Sequence, residues 1–124
     1  MTLLFDTDIL IAYSKGKLYD FIHDLVKPEN QFFSSVITIA EFRVGLNKDI
    51  QFTMEKIKQM FSPLSLDEEV AEMAGAFRQY FLKRGKTIPL DDHFVAATAI
   101  KYKLILVTNN KKDFPHKGLR LYSD

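Results

Sequence analysis

The run Thr2-Leu3-Leu4-Phe5-Asp6 opens the sequence with apolar side chains and ends on a carboxylate. A short continuous apolar run is typical of a strand that is buried on both faces of a parallel sheet. Asp6 and Asp8 end the apolar run too early for a signal peptide, and no basic segment precedes the run. The stretch therefore predicts a buried first strand with Asp6 at its carboxyl end.

Alternating strand and helix patterns continue outward from this stretch. Runs rich in apolar and β-branched residues predict strands over Phe32–Ile37, Leu104–Val107 and Leu119–Tyr122. Apolar residues at helical spacing predict helices over residues 18–26, 38–46, 50–61, 70–81 and 91–102. Strands separated by helices pair in parallel through crossovers. The fold class is thus α/β, an α/β/α sandwich with a short, mostly parallel central sheet and a helical insertion.

Length and composition place limits on the function. The chain has 124 residues, no Cys and a formal net charge of +1, and we expect one domain over residues 1–124. The missing Cys excludes thiolate zinc sites and cysteine nucleophiles, and it fits a reducing cytoplasmic location. Because no stretch reaches the roughly 18 apolar residues that a membrane span requires, no membrane association is expected.

Acidic residues follow the predicted strands or open the helices after them, where open α/β sheets place their functional sites. These acids are Asp6, Glu41, Asp91, Asp92 and Asp113. Carboxylates crowded together repel each other, and a divalent cation relieves that repulsion. Oxygen ligands favour Mg²⁺ or Mn²⁺, and such ions activate water for attack on phosphodiesters. The pattern predicts metal-dependent phosphoryl hydrolysis.

Each acid also has a purely structural explanation. Thr38 and Glu41 have the spacing of a capping box, and Asp91 or Asp92 has the position of a helix cap, so that this pair supplies one ligand. Asp113 lies among turn residues. We expect Asp8 to be a cap or turn residue with a supporting role near the site. Thr108, at the end of the third predicted strand, is placed to orient a water molecule. His23, His93 and His116 show no ligand spacing and are expected on the surface or in loops.

Four segments in order make the sequence recognisable. They are Leu4–Ile11, Ser35–Phe42, Ile88–Ala99 and Leu106–Phe114. Their order and spacing resemble those of the PIN-domain nucleases, and specifically of the short VapC-like toxins of prokaryotic toxin–antitoxin pairs. The resemblance covers essentially the whole chain, and it implies a PIN-like fold and an endoribonuclease that depends on Mg²⁺ or Mn²⁺.

The resemblance also implies roles for individual residues. By position, the family's carboxylate quartet corresponds to Asp6, Glu41, Asp92 and Asp113, with Asp6 and Asp92 as the main metal ligands. Asp92 is preferred to Asp91 because the family acid stands three residues before the apolar segment 95–97. Thr108 matches a polar residue near the metal, and Asp8 stands where the family commonly has Asn. The implied partners are RNA, a cognate antitoxin and a second copy of the chain.

Three other functional classes share some of these sequence features. A haloacid-dehalogenase-type phosphatase would use Asp6 as nucleophile and Asp8 as acid or base, although 124 residues leave little room for its cap. A receiver-type signalling domain requires a phosphoacceptor Asp near mid-chain, where this sequence is helical. A non-catalytic PIN-like binding module is the third alternative. Setting the quartet aside leaves 12 acidic against 17 basic residues, a balance of +5, so the low net charge does not oppose RNA binding.

Overall fold

The structure is a computed structural model that describes residues 1–123, and the last residue of the predicted domain, Asp124, lies outside the described residues. The strands are β1 (Thr2–Phe5), β2 (Gln31–Ser35), β3 (Ser62–Leu64), β4 (Ile105–Val107) and β5 (Arg120–Leu121). The helices are α1 (Thr7–Ser14), α2 (Tyr19–Asp24), α3 (Val36–Val44), α4 (Ile50–Met60), α5 (Glu68–Lys83) and α6 (Leu90–Lys101). No helix among residues 1–123 is long and apolar enough to cross a membrane.

The five strands form one parallel sheet in the order β3-β2-β1-β4-β5. Strand β1 is therefore central, which explains its unbroken apolar sequence. Leu3 and Phe5 are packed with side chains of α1, α2, α3 and α4, whereas Leu4 is packed with side chains of α6 and β4. Because successive strand residues point to opposite faces, both faces of the sheet are covered. The predicted α/β/α sandwich is confirmed.

Among the helices that the sequence predicts, α6 is the most deeply buried in the structure. Its residues from Val95 to Ala99 are all at most 1% exposed, and Ala97 also packs against Val70 and Ala74 of α5. The helix lies between the sheet on one side and α5 on the other. This packing fixes the N-terminus of α6, and with it Asp91 and Asp92, beside the carboxyl ends of the strands.

The second strand ends earlier than the sequence predicts. Val36 and Ile37, predicted to lie in the strand, belong to α3 because the Ser35 hydroxyl accepts the backbone N–H of Thr38 at 3.1 Å and caps the helix. The predicted capping box of Thr38 and Glu41 is therefore wrong. Glu41 lies in the second turn of α3, not the first, and its carboxylate has no capping function.

Two elements are not among the predicted ones. Helix α1 begins directly after β1, with Asp6 as its N-cap, where the sequence predicts no helix and Asp8 is expected to be a cap or turn residue. Strand β3 lies within the predicted helical insertion, between α4 and α5, and contains Pro63. Proline is tolerated there because β3 pairs only with β2 and is an edge strand.

Candidate active site

Asp6 lies at the centre of an acidic cluster at the carboxyl edge of the sheet. Its residue is only 7% exposed. One carboxylate oxygen accepts the backbone N–H of Thr7 at 2.9 Å, and the other accepts the hydroxyl of Thr108 at 2.9 Å. Thr108 follows β4, so the bond joins the ends of two adjacent strands. These two hydrogen bonds hold both carboxylate oxygens of Asp6 in a fixed orientation.

Asp8 ties α1 to the loop that follows β4. One of its carboxylate oxygens accepts the backbone N–H of Ile9 at 2.9 Å. The other accepts the backbone N–H of Asn109 at 3.0 Å and the side-chain amide of Asn110 at 3.4 Å. These bonds give Asp8 a local structural task beside Asp6, and burial raises the pKa of its carboxyl above the usual value.

Glu41 is held toward the cluster by a chain of hydroxyl groups. The Thr7 hydroxyl contacts both a carboxylate oxygen of Glu41 at 2.6 Å and the Thr38 hydroxyl at 3.3 Å. Thr38 in turn accepts the Ser35 hydroxyl at 3.2 Å, and both of these residues are fully buried. The chain joins α1 to α3, so the position of Glu41 depends on buried hydroxyls rather than on a basic side chain.

Asp91 and Asp92 lie in the first turn of α6, where the backbone dipole favours negative charge. Pro89 is the N-cap residue of α6, and no side chain caps the helix. The explanation of either Asp as a helix cap is therefore wrong. Both carboxylates are half-buried and remain available to the cluster.

Asp113 reaches the cluster from a third direction. It ends a 3₁₀ turn, Lys111–Asp113, and is half-buried, whereas both lysines of the turn are exposed. Burial and the charges of Asp91 and Asp6 raise the pKa of Asp92, and the charge of Asp113 adds to them. The structure therefore places all four residues of the predicted quartet at one edge, together with Asp8 and Asp91.

Asp6, Glu41 and Asp92 hold their protons more tightly than isolated acids do. Burial, followed by the charge of Asp8, raises the pKa of Asp6 to about 6. Burial and then the Asp91 carboxyl raise the pKa of Glu41 to about 7, and burial followed by the charge of Asp91 raises that of Asp92 to about 7. The ion pairs found in residues 1–123 involve Lys101 with Asp67 and Glu69, so none of these carboxylates has a cationic partner there.

The donor set fits a divalent cation. It consists of carboxylate oxygens without a basic partner, and hard cations such as Mg²⁺ and Mn²⁺ prefer such ligands. Within residues 1–123, however, no group of three or more His, Asp or Glu side chains has an arrangement that could hold a metal ion. The carboxylates are near enough to affect one another's ionisation, and the side chains must move closer together to surround an ion.

Removal of the Thr7 hydroxyl tests how far this chain controls Glu41. We expect Thr7→Val to lower the rate of the predicted phosphoryl hydrolysis about 10-fold, because Glu41 loses its 2.6 Å hydrogen bond while valine preserves the side-chain shape. Thr7→Ser retains the hydroxyl and should restore most of the rate. Steady-state kinetics on both variants measure the effect. Equal rates for wild type and Thr7→Val would show that Glu41 is positioned by other contacts.

His93 and His116 form a buried pair. The prediction of a surface or loop position is wrong for His93, which lies within α6, whereas His116 lies in the loop before β5 as predicted but is buried there. Their rings are joined by a 2.8 Å hydrogen bond between Nδ1 of His93 and Nε2 of His116. They are 0% and 5% exposed and lie against Phe77 and Phe81. Burial lowers the pKa of both, that of His116 to about 4. The bond ties the segment after Asp113 to α6. His23, by contrast, is exposed as predicted.

We expect His116→Leu to lower the free energy of unfolding by about 1–3 kcal/mol, because Nδ1 of His93 is left buried without a partner. The outer nitrogens, Nε2 of His93 and Nδ1 of His116, already have no partner within residues 1–123. Replacement of both histidines by leucine should therefore cost less than the sum of the single changes. Urea denaturation of the two single variants and the double variant measures the difference, and strict additivity would contradict the expectation.

Comparisons with known proteins show which family the fold and sequence match. The family model of the PIN domain matches residues 3–118. Ribonuclease VapC1 of Methanocaldococcus jannaschii is 31% identical over 125 residues, which covers 97% of this chain and 86% of that protein. A solved toxin–antitoxin complex from Klebsiella pneumoniae contains a chain with 28% identity and a TM-score of 0.72, with coverage of 98% of this chain and 99% of that one.

A second solved structure matches the fold more closely. It is the VapBC2 complex of Rickettsia felis bound to a DNA fragment from the promoter. The matching chain has a TM-score of 0.84 at 24% identity, and the alignment covers 98% of each chain. At this identity the likeness concerns the fold alone. Because the alignment covers 98% of this chain, it includes the sheet that carries the acidic cluster.

Proposed function

The chain belongs to the PIN-domain family, and from that premise we propose that it is a metal-dependent endoribonuclease and the toxin of a type II toxin–antitoxin pair. The observation that carries the proposal is the cluster of carboxylates without basic partners around Asp6. The family and the VapC ribonuclease relatives favour this function over the phosphatase and the non-catalytic module. In this proposal the single domain extends over residues 1–124.

The proposal assigns the metal to Asp6 and Asp92, with Glu41 and Asp113 completing the site. When bound, Mg²⁺ or Mn²⁺ supplies a Lewis acid that activates water and stabilises charge on the phosphodiester. Asp6 suits its role because Thr7 and Thr108 fix its two oxygens. Asp92 suits its role because it opens α6 at the same edge of the sheet. Asp8 and Asp91 add negative charge and support the neighbouring ligands.

The remaining carboxylates serve the proton transfers of the hydrolysis. A water oxygen forms a bond to phosphorus, the bond from phosphorus to the 3′-oxygen breaks, and the departing 3′-oxygen takes up a proton from solvent, so that the products carry a 5′-phosphate and a 3′-hydroxyl. Glu41 and Asp113 are the groups proposed to orient the water and to accept its proton. With a pKa of about 7, Glu41 exchanges protons readily near neutral pH.

The proposed partners follow from the same family. The Klebsiella pneumoniae structure is a toxin–antitoxin complex, and we propose that this chain is neutralised by a cognate antitoxin that enters the groove beside the carboxylates. Homodimerisation and a cytoplasmic location belong to the same proposal. Val44 at the end of α3 and Phe52 on α4 are 86% and 65% exposed, which is unusually high for large apolar side chains and provides surface for a second copy.

Incubation of the purified protein with total RNA tests the function. We expect discrete cleavage products in the presence of Mg²⁺ or Mn²⁺, no products with excess EDTA, and 5′-phosphates at the new ends when these are mapped by ligation and sequencing. Co-expression with the proposed cognate antitoxin should suppress cleavage. If neither metal supports cleavage between pH 6 and pH 9, the protein is not a ribonuclease and the non-catalytic module is the better description.

A further inference from the structure

A cavity of about 560 Å³ opens directly beside the acidic cluster and is not used by the chemistry described above. It lies between α1, α2, the end of β4 and the residue that follows β5. Its lining includes Phe21 and Tyr122, Leu18, Thr108, Asn109 and Lys111. Thr108 is the residue whose hydroxyl binds Asp6, so cavity and cluster share a wall.

We propose that this cavity binds a base of the RNA next to the scissile phosphate, an inference that rests on the proposed ribonuclease function. Single-stranded RNA is recognised chiefly through bases that stack on aromatic rings and form hydrogen bonds along their edges. The cavity supplies both kinds of group. Its position beside Asp6 places a bound base within a short distance of the carboxylates.

The aromatic wall fits a planar ligand. The rings of Phe21 and Tyr122 have centroids 5.7 Å apart and planes inclined by 72°. The two rings are thus packed edge to face, and the part of their surface that lines the cavity is available to a planar base. Both side chains are only half-buried, so ring surface remains for a ligand after packing against the core.

The polar rim fits the rest of a nucleotide. Asn109 and Lys111 are both exposed where the cavity opens. The backbone N–H of Asn109 is already bonded to Asp8, which fixes the loop and leaves the carboxamide side chain to face a base edge. Lys111 precedes Asp113 by two residues in the sequence. Its ammonium group supplies positive charge that attracts the phosphates of the RNA backbone.

Leu18 shows that the wall is held in an unfavourable conformation. It caps α2 with φ at 58°, in the left-handed region that residues other than glycine rarely adopt. Such conformations persist where surrounding structure enforces them, and they occur frequently at ligand-binding sites. The backbone conformation of Leu18 therefore supports a ligand-binding role for the cavity, in addition to the aromatic and polar side chains that line it.

Binding of RNA oligonucleotides that carry 2-aminopurine tests the proposal. The titrations use the wild-type protein in EDTA, so that no strand is cut, and stacking of the base on an aromatic ring quenches its fluorescence. We expect Tyr122→Leu to abolish the quenching and to weaken binding by about 5-fold to 100-fold. Tyr122→Phe, which retains the ring, should bind like wild type. Tyr80→Leu removes an exposed tyrosine from α5 and is the matched control.

A second variant keeps the test valid if Tyr122→Leu does not fold. Asn109→Ala changes an exposed side chain, and we expect it to alter the base preference around the cleavage sites in a randomised RNA pool. Unchanged quenching in Tyr122→Leu, or an unchanged cleavage profile in Asn109→Ala, overturns the proposal. Loss of antitoxin neutralisation without any effect on RNA also overturns it and assigns the cavity to the antitoxin. If wild type binds and quenches but cuts no RNA, the ribonuclease function fails and the base pocket stands.

Discussion

Asp6→Asn should abolish RNA cleavage while leaving the metal-free protein at least as stable as the wild type. The activity should fall by at least about 100-fold, because the variant lacks a proposed metal ligand at the centre of the cluster. The fold should tolerate the change, because the asparagine oxygen can still accept the Thr7 N–H and the Thr108 hydroxyl can accept the new amide.

The raised pKa of Asp6 makes the stability of the metal-free protein depend on pH. The pKa of Asp6 rises from 3.8 to about 6 on folding, so the folded state binds more protons than the unfolded state between these values. Stability contributed by this group is therefore highest below pH 4 and is lost as the pH rises through 6. At pH 8 the buried charge opposes folding, and its removal should raise the melting temperature of the metal-free protein.

Asp92→Asn and Asp91→Asn form a matched pair beside Asp6→Asn. Both residues lie in the first turn of α6, and neither caps the helix. We expect the first variant to lose activity as Asp6→Asn does, and the second to retain a substantial part of it. Initial rates of cleavage with Mn²⁺, measured beside thermal melts in EDTA, separate catalysis from stability. Comparable activity in Asp92→Asn and wild type would contradict the metal assignment.

The sequence predicts the sheet edge well because that edge depends on local patterns. The apolar run before Asp6 and the apolar segment after Asp92 each indicate a buried element whose polar end faces a common edge. The rule that parallel strands place their carboxyl ends together then predicts the meeting of distant acids. This prediction of where the acids lie requires no knowledge of side-chain contacts. The structure places the acids at the predicted edge.

The helix boundaries near the site show where local patterns are insufficient. Val36 and Ile37 are β-branched and favour a strand, but the Ser35 cap begins α3 before them. Asp6-Thr7-Asp8 resembles a turn, but Asp6 caps a helix whose later residues, Ile9 and Leu10, are buried in the core. In both cases one hydrogen bond to a cap decides the boundary, and intrinsic preference is overruled.

The contacts that position the site could not be predicted, because they join residues far apart in the chain. Thr7 and Glu41 are 34 residues apart, and His93 and His116 are 23 residues apart. Neither pair has a characteristic spacing. The only indirect sign that the two histidines are buried is the pair of aromatic residues at positions 77 and 81, which share one face of a predicted helix. A buried imidazole ring requires apolar surroundings of this kind and a hydrogen-bond partner.

Divalent metal should stabilise the protein strongly at pH 8 and weakly at pH 6. At pH 8 the carboxylates of Asp6, Glu41 and Asp92 are ionised, because their pKa values are about 6, 7 and 7. As the pH falls through these values, protons compete with the metal for the same oxygens. A concentration of Mn²⁺ about 100 times its Kd at pH 8 should contribute about 2.7 kcal/mol, or roughly 10 °C in melting temperature.

The difference between melts with Mn²⁺ and melts with EDTA is the quantity to measure, because it isolates the carboxylates from the histidine pair. The pKa of His116 is lowered to about 4, so that residue contributes stability that is lost as the pH falls below about 6.5, in metal-free and metal-bound protein alike. Subtraction removes this background. Glu72→Gln, which changes an exposed acid on α5, should keep the full metal effect, whereas Asp6→Asn and Asp92→Asn should lose it. A metal effect that is equal at pH 6 and pH 8, or that survives in both Asp variants, would place the ion elsewhere and leave the carboxylate cluster without its proposed ligand role.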